Sequence, residues 1–334
     1  MFYPARLWRV LDLVLGLALL AACNSTPPTA PHVSSGTGGT PAHAAPVLTR
    51  ATAGSTTAAT TVSRHPASPT TTVGSTAAAT TVSPPTDPAE LDFFTRRVVY
   101  GIPGMERVRV RHDLTYQTTN ASALKMDVYY PVDLPSGARL PAVLFIHGGP
   151  VPPGVSAKDS GQFRSWGQLI AASGLIAVTF NWRVGVPSDI DALIKHIRDD
   201  ATALQLDPDQ ICLFGVSAGV EPLVTQAMQG TPAYLRCIVA YYGNVTNAWF
   251  RLRRQKRLTV RIAPLLIAQG ANDEIISPVA AEQFVKDATA KGVHAGLLIH
   301  PTGVHAFDIL RDDEQSRQII KKTITFLQAQ LKPR

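Results

Sequence analysis

The sequence predicts an α/β fold with a mainly parallel, eight-stranded sheet covered by helices on both faces. Three observations predict it. Six short, continuously apolar runs recur between Ala142 and Ile299, and segments apolar on both faces suit strands buried inside a parallel sheet. Helical patterns separate several of these runs, so strand and helix alternate almost to the end. A Gly215-Val216-Ser217-Ala218-Gly219 turn follows one run and leads into a helix-compatible stretch. Strand, sharp turn and helix in that order expose a serine hydroxyl at a sheet edge.

Taken in order, Val108 to Tyr116 and Leu124 to Tyr130 show partial alternation around Thr118-Thr119-Asn120, which predicts an antiparallel edge pair. The buried strands follow at Ala142–Ile146, Ile176–Phe180, Ile211–Phe214, Cys237–Tyr241, Pro264–Ala268 and Gly296–Ile299. Ile190, Leu193, Ile194, Ile197, Ala201 and Leu204 form one apolar stripe at helical spacing, with Ser188 as the expected N-cap. Ser277-Pro278 supplies a cap and a proline at the first helical position, opening a helix to about Ala290. Ile320, Ile324, Leu327 and Leu331 give the last amphipathic helix.

The 334 residues exceed what this domain needs, and the surplus precedes it. Residues 1–22 carry Arg6 and Arg9 and then a short apolar run interrupted by Asp12. That is a signal-peptide core, since a spanning helix needs about 20 apolar residues. Leu20-Ala21-Ala22-Cys23 resembles the lipobox of bacterial lipoproteins, which makes Cys23 the candidate lipidation site and predicts export to the extracytoplasmic face of a membrane; simple secretion is the alternative. Residues 23–94 are rich in Thr, Ala, Ser and Pro, too poor in large apolar groups to offset their ordering entropy, and read as a disordered tether. A catalytic domain is expected over residues 95–334.

The formal net charge of +7 falls wholly after residue 94, because four arginines and four acids cancel before it. Arg251, Arg253, Arg254, Lys256, Arg257 and Arg261 cluster beside Trp249 and Phe250. Such a run can meet anionic head groups or an acidic substrate, though a solvated face is its default explanation. No nucleic-acid-binding motif accompanies it, so no nucleic-acid partner is expected. Cys212 and Cys237 sit in apolar strands and are expected as buried free thiols. No Cys/His spacing suggests zinc.

Acyl transfer by serine needs a base, an acid to orient it, and donors for the oxyanion. Ser217 is the candidate nucleophile. His294, His300 and His305 follow it, and His305, in a loop just after a strand, is the candidate base. Asp273, just beyond Leu265–Ala268, is the candidate acid, with Glu274 as its rival. The order Ser, Asp, His is that of the hydrolase triad. The oxyanion donors are expected from the amides of Ala218 and of Gly148 or Gly149, in the His147-Gly148-Gly149 turn at another strand end. His147 is expected to pin that turn. The segment 243–260 is too short for a large cap, and could form a small flap bringing Trp249 and Phe250 to an acyl chain, pack into the core, or lie exposed.

Asp127-Val-Tyr-Tyr-Pro131, Ile146-His-Gly-Gly149, Asn181-Trp-Arg183, Gly215-Val-Ser-Ala-Gly219, Gln269-Gly-Ala-Asn-Asp273 and Val304-His-Ala-Phe-Asp308 together span the folded part. With them, residues from about 105 to 330 resemble the α/β-hydrolase superfamily, near its esterase and lipase branch and dienelactone-hydrolase-like relatives. Dienelactone hydrolases proper use cysteine where this chain has Ser217. Pro150 replaces the third glycine usual in the hormone-sensitive-lipase-like branch and is also seen in prolyl-oligopeptidase relatives. The resemblance implies an α/β-hydrolase fold and a serine carboxylesterase without metal or organic cofactor; the short 243–260 segment adds the expectation of an open site suited to short acyl chains. The alternatives are a prolyl-oligopeptidase-like peptidase and a non-catalytic binding protein on the same scaffold.

Overall fold

The computed structural model describes residues 88–120 and 122–332. The expected signal segment, Cys23 and the expected tether up to residue 87 lie outside the described residues. Helix α1, Pro88–Thr95, begins before the boundary expected at residue 95.

Strands β1 (Arg109–Thr118), β2 (Ala123–Tyr130), β3 (Leu140–Ile146), β4 (Ile176–Phe180), β5 (Leu206–Val216), β6 (Leu235–Tyr241), β7 (Leu265–Gly270) and β8 (Ala295–His300) form one sheet. Its order is β1-β2-β4-β3-β5-β6-β7-β8. The β1–β2 and β2–β4 pairs are antiparallel, and every pair from β4–β3 to β7–β8 is parallel. The sheet therefore matches the expected architecture, including its antiparallel edge.

Alternation along the strands feeds two cores. In β3, Leu144 and Ile146 join the cluster beneath helices α3 (Ser188–Asp199), α4 (Val220–Ala227), α5 (Thr246–Arg254) and α6 (Pro278–Ala290). Val143 and Phe145 join the cluster beneath α2 (Gly161–Ala172), the short α7 (Phe307–Leu310) and α8 (Glu314–Gln330). Because both faces are covered, β3 is buried from residue 141 to 146, which is why its sequence is continuously apolar. Cys212 and Cys237 are buried, unbridged, and paired in register across β5 and β6.

Helix ends follow local chemistry in two cases and correct it in a third. The Ser277 hydroxyl accepts from Val279 N, with Pro278 in the first turn of α6. The Asp313 carboxylate accepts from Ser316 N at 2.9 Å and caps α8. Ser188, expected as the N-cap of α3, is instead its first residue, and the cap position belongs to Pro187 without a side-chain bond. The α3 stripe also outlasts its helix. Ala201 and Leu204 remain buried in a turn that ends with Gln205 at φ 54°, the left-handed conformation that terminates helices.

The segment 243–260, left open between a flap, core packing and an exposed loop, is largely helix α5, packed on α4 and α6 through buried Ala248 and Leu252. Trp249 is committed to this packing: its indole N–H donates to Asp287 Oδ2 of α6 at 2.8 Å. It is thus a packing residue, and Phe250 stacks on its outer side with ring centroids 5.6 Å apart. Among the described residues no helix is long and apolar enough to cross a membrane.

Phe284 anchors α6 and has no exposed surface. Phe284→Ala is expected to cost about 3–5 kcal/mol of unfolding free energy, measured as a shift of the urea midpoint without change in slope.

Candidate active site

The parallel strands carry their C-terminal ends to one edge, and ligands bind at such edges. Ser217 follows β5 there at φ 49°, a left-handed conformation that strains any residue with a β-carbon. The flanking glycines permit it. A Cβ on Gly219 would stand 2.6 Å from Ile146 O and 2.8 Å from His147 O, and one on Gly215 would stand 2.9 Å from Gly219 O. The β5 turn thus presses directly on the end of β3.

His305 Nε2 lies 2.9 Å from Ser217 Oγ, and its Nδ1 lies 2.9 Å from Asp273 Oδ2. The carboxylate only accepts, so Nδ1 carries the proton and Nε2 is left to accept from the serine. Asp273 is held from all sides: Oδ1 accepts from Ile275 N at 3.0 Å and Ile276 N at 2.9 Å, and Oδ2 also accepts from Gln269 Nε2 at 2.9 Å. Backbone bonds tie the acid's loop to the base's loop, from Ala271 N to His300 O and Asn272 N to Gly303 O, each 2.9 Å. The other two histidines are elsewhere. His300 is buried against Asp313 and Ser316, each 3.0 Å away, and His294 is exposed, as is Glu274.

Of the expected oxyanion residues, Gly148 lies against the nucleophile: a Cβ on it would stand 2.8 Å from Ser217 Cβ and 3.4 Å from Oγ. Gly149 lies beside Val184, whose Cγ2 would be 2.7 Å from an added Cβ, and the Gly149–Pro150 peptide is cis. Ala218 is exposed in the turn that opens α4, where backbone N–H groups lack intrahelical acceptors.

The loop carrying Gly148 is fastened at both ends. Trp182 N–H donates to His147 Nε2 at 3.2 Å, and His147 Nδ1–H donates to Gly148 O at 2.6 Å. Ten residues on, the buried Lys158 ammonium meets Asp127 at 2.9 Å and Asp113 and Asp159 at 3.0 Å. Burial alone would lower its pKa, but the three carboxylates reverse this and hold it above the usual lysine range.

Residues 126–236, about a third of the chain, match the BD-FAE family. A native esterase from Thermogutta terrifontis superposes with a TM-score of 0.52 and 20% identity, over 67% of this chain and 93% of that one. The apo form of esterase 2 from the same species gives 0.54 and 18% identity, over 70% and 98%. The chain has the α/β-hydrolase fold. Among curated proteins, the chain is similar to Carboxylesterase 1C of Rattus norvegicus, 28% identical over 112 residues, 29% of this chain and 20% of that protein. It is also similar to Acylcarnitine hydrolase of Mus musculus, 27% identical over 135 residues, 36% and 22% of the two chains. The chain spans about a fifth of the length of these curated relatives.

Behind the imidazole this α/β-hydrolase fold holds a polar network that motif spacing did not reveal. Tyr242 sets its ring 4.9 Å from that of His305 and donates its hydroxyl to Asp308 Oδ1 at 2.8 Å. Gln162 Nε2 and Trp166 Nε1 each donate to Asp308 Oδ2 at 2.9 Å. Burial raises the Asp308 pKa, and these donors partly offset the rise. One signal was in the sequence: an acidic residue set among apolar ones three positions after the candidate base.

Burial lowers the His147 pKa to about 4. Its folded value lies below the unfolded value of about 6.5, so its stabilising effect is complete above that pH and fades as pH falls toward 4. Unfolding free energy should therefore drop between pH 7 and pH 5 by about 2 kcal/mol on this account alone. Urea titrations at the two pH values should find that part of the drop missing in His147→Gln.

Proposed function

We propose that this protein is a serine carboxylesterase that cleaves small carboxylic esters through an acyl-enzyme on Ser217. The observation that carries the proposal is the unbroken relay from Asp273 Oδ2 through His305 to Ser217 Oγ, with both links at 2.9 Å. Ser217 Oγ attacks the ester carbonyl while His305 Nε2 takes its proton, and Asp273 stabilises the imidazolium that forms. The amides of Gly148 or Gly149 and of Ala218 receive the oxyanion, each such donor contributing about 3 kcal/mol to the transition state. His305 then returns the proton to the departing alcohol, and water activated by the same imidazole releases the acid. Similarity to proteins named as esterases and acyl hydrolases supports the ester as substrate class. Short acyl chains are the proposed preference.

The cellular setting is proposed from the sequence: export, lipidation at Cys23, and a tether that holds the catalytic domain off the membrane.

Two expected outcomes follow. Hydrolysis of p-nitrophenyl acetate should exceed that of the octanoate, and Ser217→Ala should lower it at least about a thousandfold. Equal, near-background rates in both proteins would remove the esterase assignment. In cell fractionation, Cys23→Ser should move the protein from the membrane to the soluble fraction, and unchanged membrane association would reject the lipid anchor.

A further inference from the structure

The chain has 31 Lys and Arg against 24 Asp and Glu. Between residues 222 and 272 there are seven cations, Arg236, Arg251, Arg253, Arg254, Lys256, Arg257 and Arg261, and no acid. The remainder of the sequence therefore holds 24 of each sign, and the whole formal excess of +7 resides in this one segment. An ordinary solvated face interleaves the two signs. This one does not.

The structure gathers most of that excess on α5 and the segment after it. Ala248 and Leu252 point into the core. At about 100° per residue, Phe250 then lies opposite them, in the middle of the outer face, with Arg251, Arg253 and Arg254 around it. Phe250 is 49% exposed, Val260 further along is 39% exposed, and all the cations from 251 to 261 are exposed. Nearby acids are already engaged within the helix layer. Asp287 bonds to Trp249 and lies 3.9 Å from Arg253, and Glu221 accepts from Asn247. Arg253 also covers the Trp249 ring at 5.3 Å. Arg261 clamps Thr231, Pro232 and Leu235 at the start of β6. That leaves Arg251, Arg254, Lys256 and Arg257 without a side-chain partner among the described residues.

We infer that the outer face of α5 and its following segment is a docking surface for an anionic phospholipid bilayer. An exposed aromatic ring encircled by arginines on an amphipathic helix is the arrangement that seats an apolar side chain below head-group phosphates. Several cations near such a surface add attraction that falls off within a Debye length. The clamp by Arg261 puts the end of this segment beside the N-terminal edge of the sheet, whereas Ser217 sits at the C-terminal edge. Docking thus leaves the serine uncovered. The inference does not depend on the esterase assignment or on lipidation at Cys23.

The test uses the whole chain with Cys23→Ser, so that no attached lipid contributes. Sedimentation with phosphatidylcholine vesicles is compared with sedimentation with vesicles containing phosphatidylglycerol, at low and high salt. The unchanged surface should partition at least about tenfold more strongly onto the anionic vesicles at low salt, and lose that preference at high salt. Combined Arg251→Gln, Arg254→Gln, Lys256→Gln and Arg257→Gln should abolish the preference, and Phe250→Ser should weaken binding to anionic vesicles with the salt dependence retained. Circular dichroism verifies folding; the side chains of these four cations bond to none of the described residues, and each can be replaced singly if the combination unfolds. Equal partition onto both vesicle types overturns the inference, as does an anionic preference that survives the four substitutions. Retention on heparin or nucleic acid without vesicle preference overturns it as well.

Discussion

The arrangement around Ser217 depends on how closely the ends of β3 and β5 approach each other. Gly219 is packed against the carbonyls of Ile146 and His147, and Gly148 against the side chain of Ser217. A methyl group at any of these contacts would push the two strand ends apart. The left-handed conformation of Ser217 is a local cost, and the surrounding sheet holds it in place through many strand bonds. Ser217 and the Gly148 loop are consequently one rigid unit, and His305 and Asp273 must be delivered to it from β8 and β7.

That delivery is made by backbone more than by side chains. The loops after β7 and β8 bond to each other through Ala271 and Asn272, so Asp273 and His305 arrive with their spacing already set. The side-chain bonds then choose the orientation: four donors face the Asp273 carboxylate, and the one on His305 fixes which imidazole nitrogen is free. The geometry of the Ser217, His305 and Asp273 relay is mostly a property of strand order and loop length. The sheet supplies position, and the polar groups supply protonation state.

Much of this was legible in the sequence because it rests on short-range constraints. A turn tight enough to expose Ser217 requires glycine within two residues, and a strand covered on both faces must be apolar throughout, so both leave local patterns. Asp273 and His305 could be chosen because each follows its strand within a few residues. The contacts that could not be seen join distant parts of the chain. Gln162 and Trp166 reach Asp308 across more than 140 residues, and Lys158 gathers carboxylates from β1, β2 and its own turn. Nothing in the periodicity of any one element announces such a partner. The helix cap at Ser188 failed for a related reason: Pro187 in a helical conformation brings the helix forward by one residue, a choice made by the preceding turn.

The buried Asp308 ties together three elements that are otherwise free to vary. Its donors come from α2 and from the end of β6, while the carboxylate itself belongs to the helix that continues the histidine loop. A buried charge stripped of one donor is costly, so Gln162, Trp166, Tyr242 and Asp308 are energetically coupled. Grafting a histidine loop from another protein of this fold onto this scaffold would carry a requirement for the matching first turns of α2. The natural module for recombination in this protein is therefore the loop together with that distant helix.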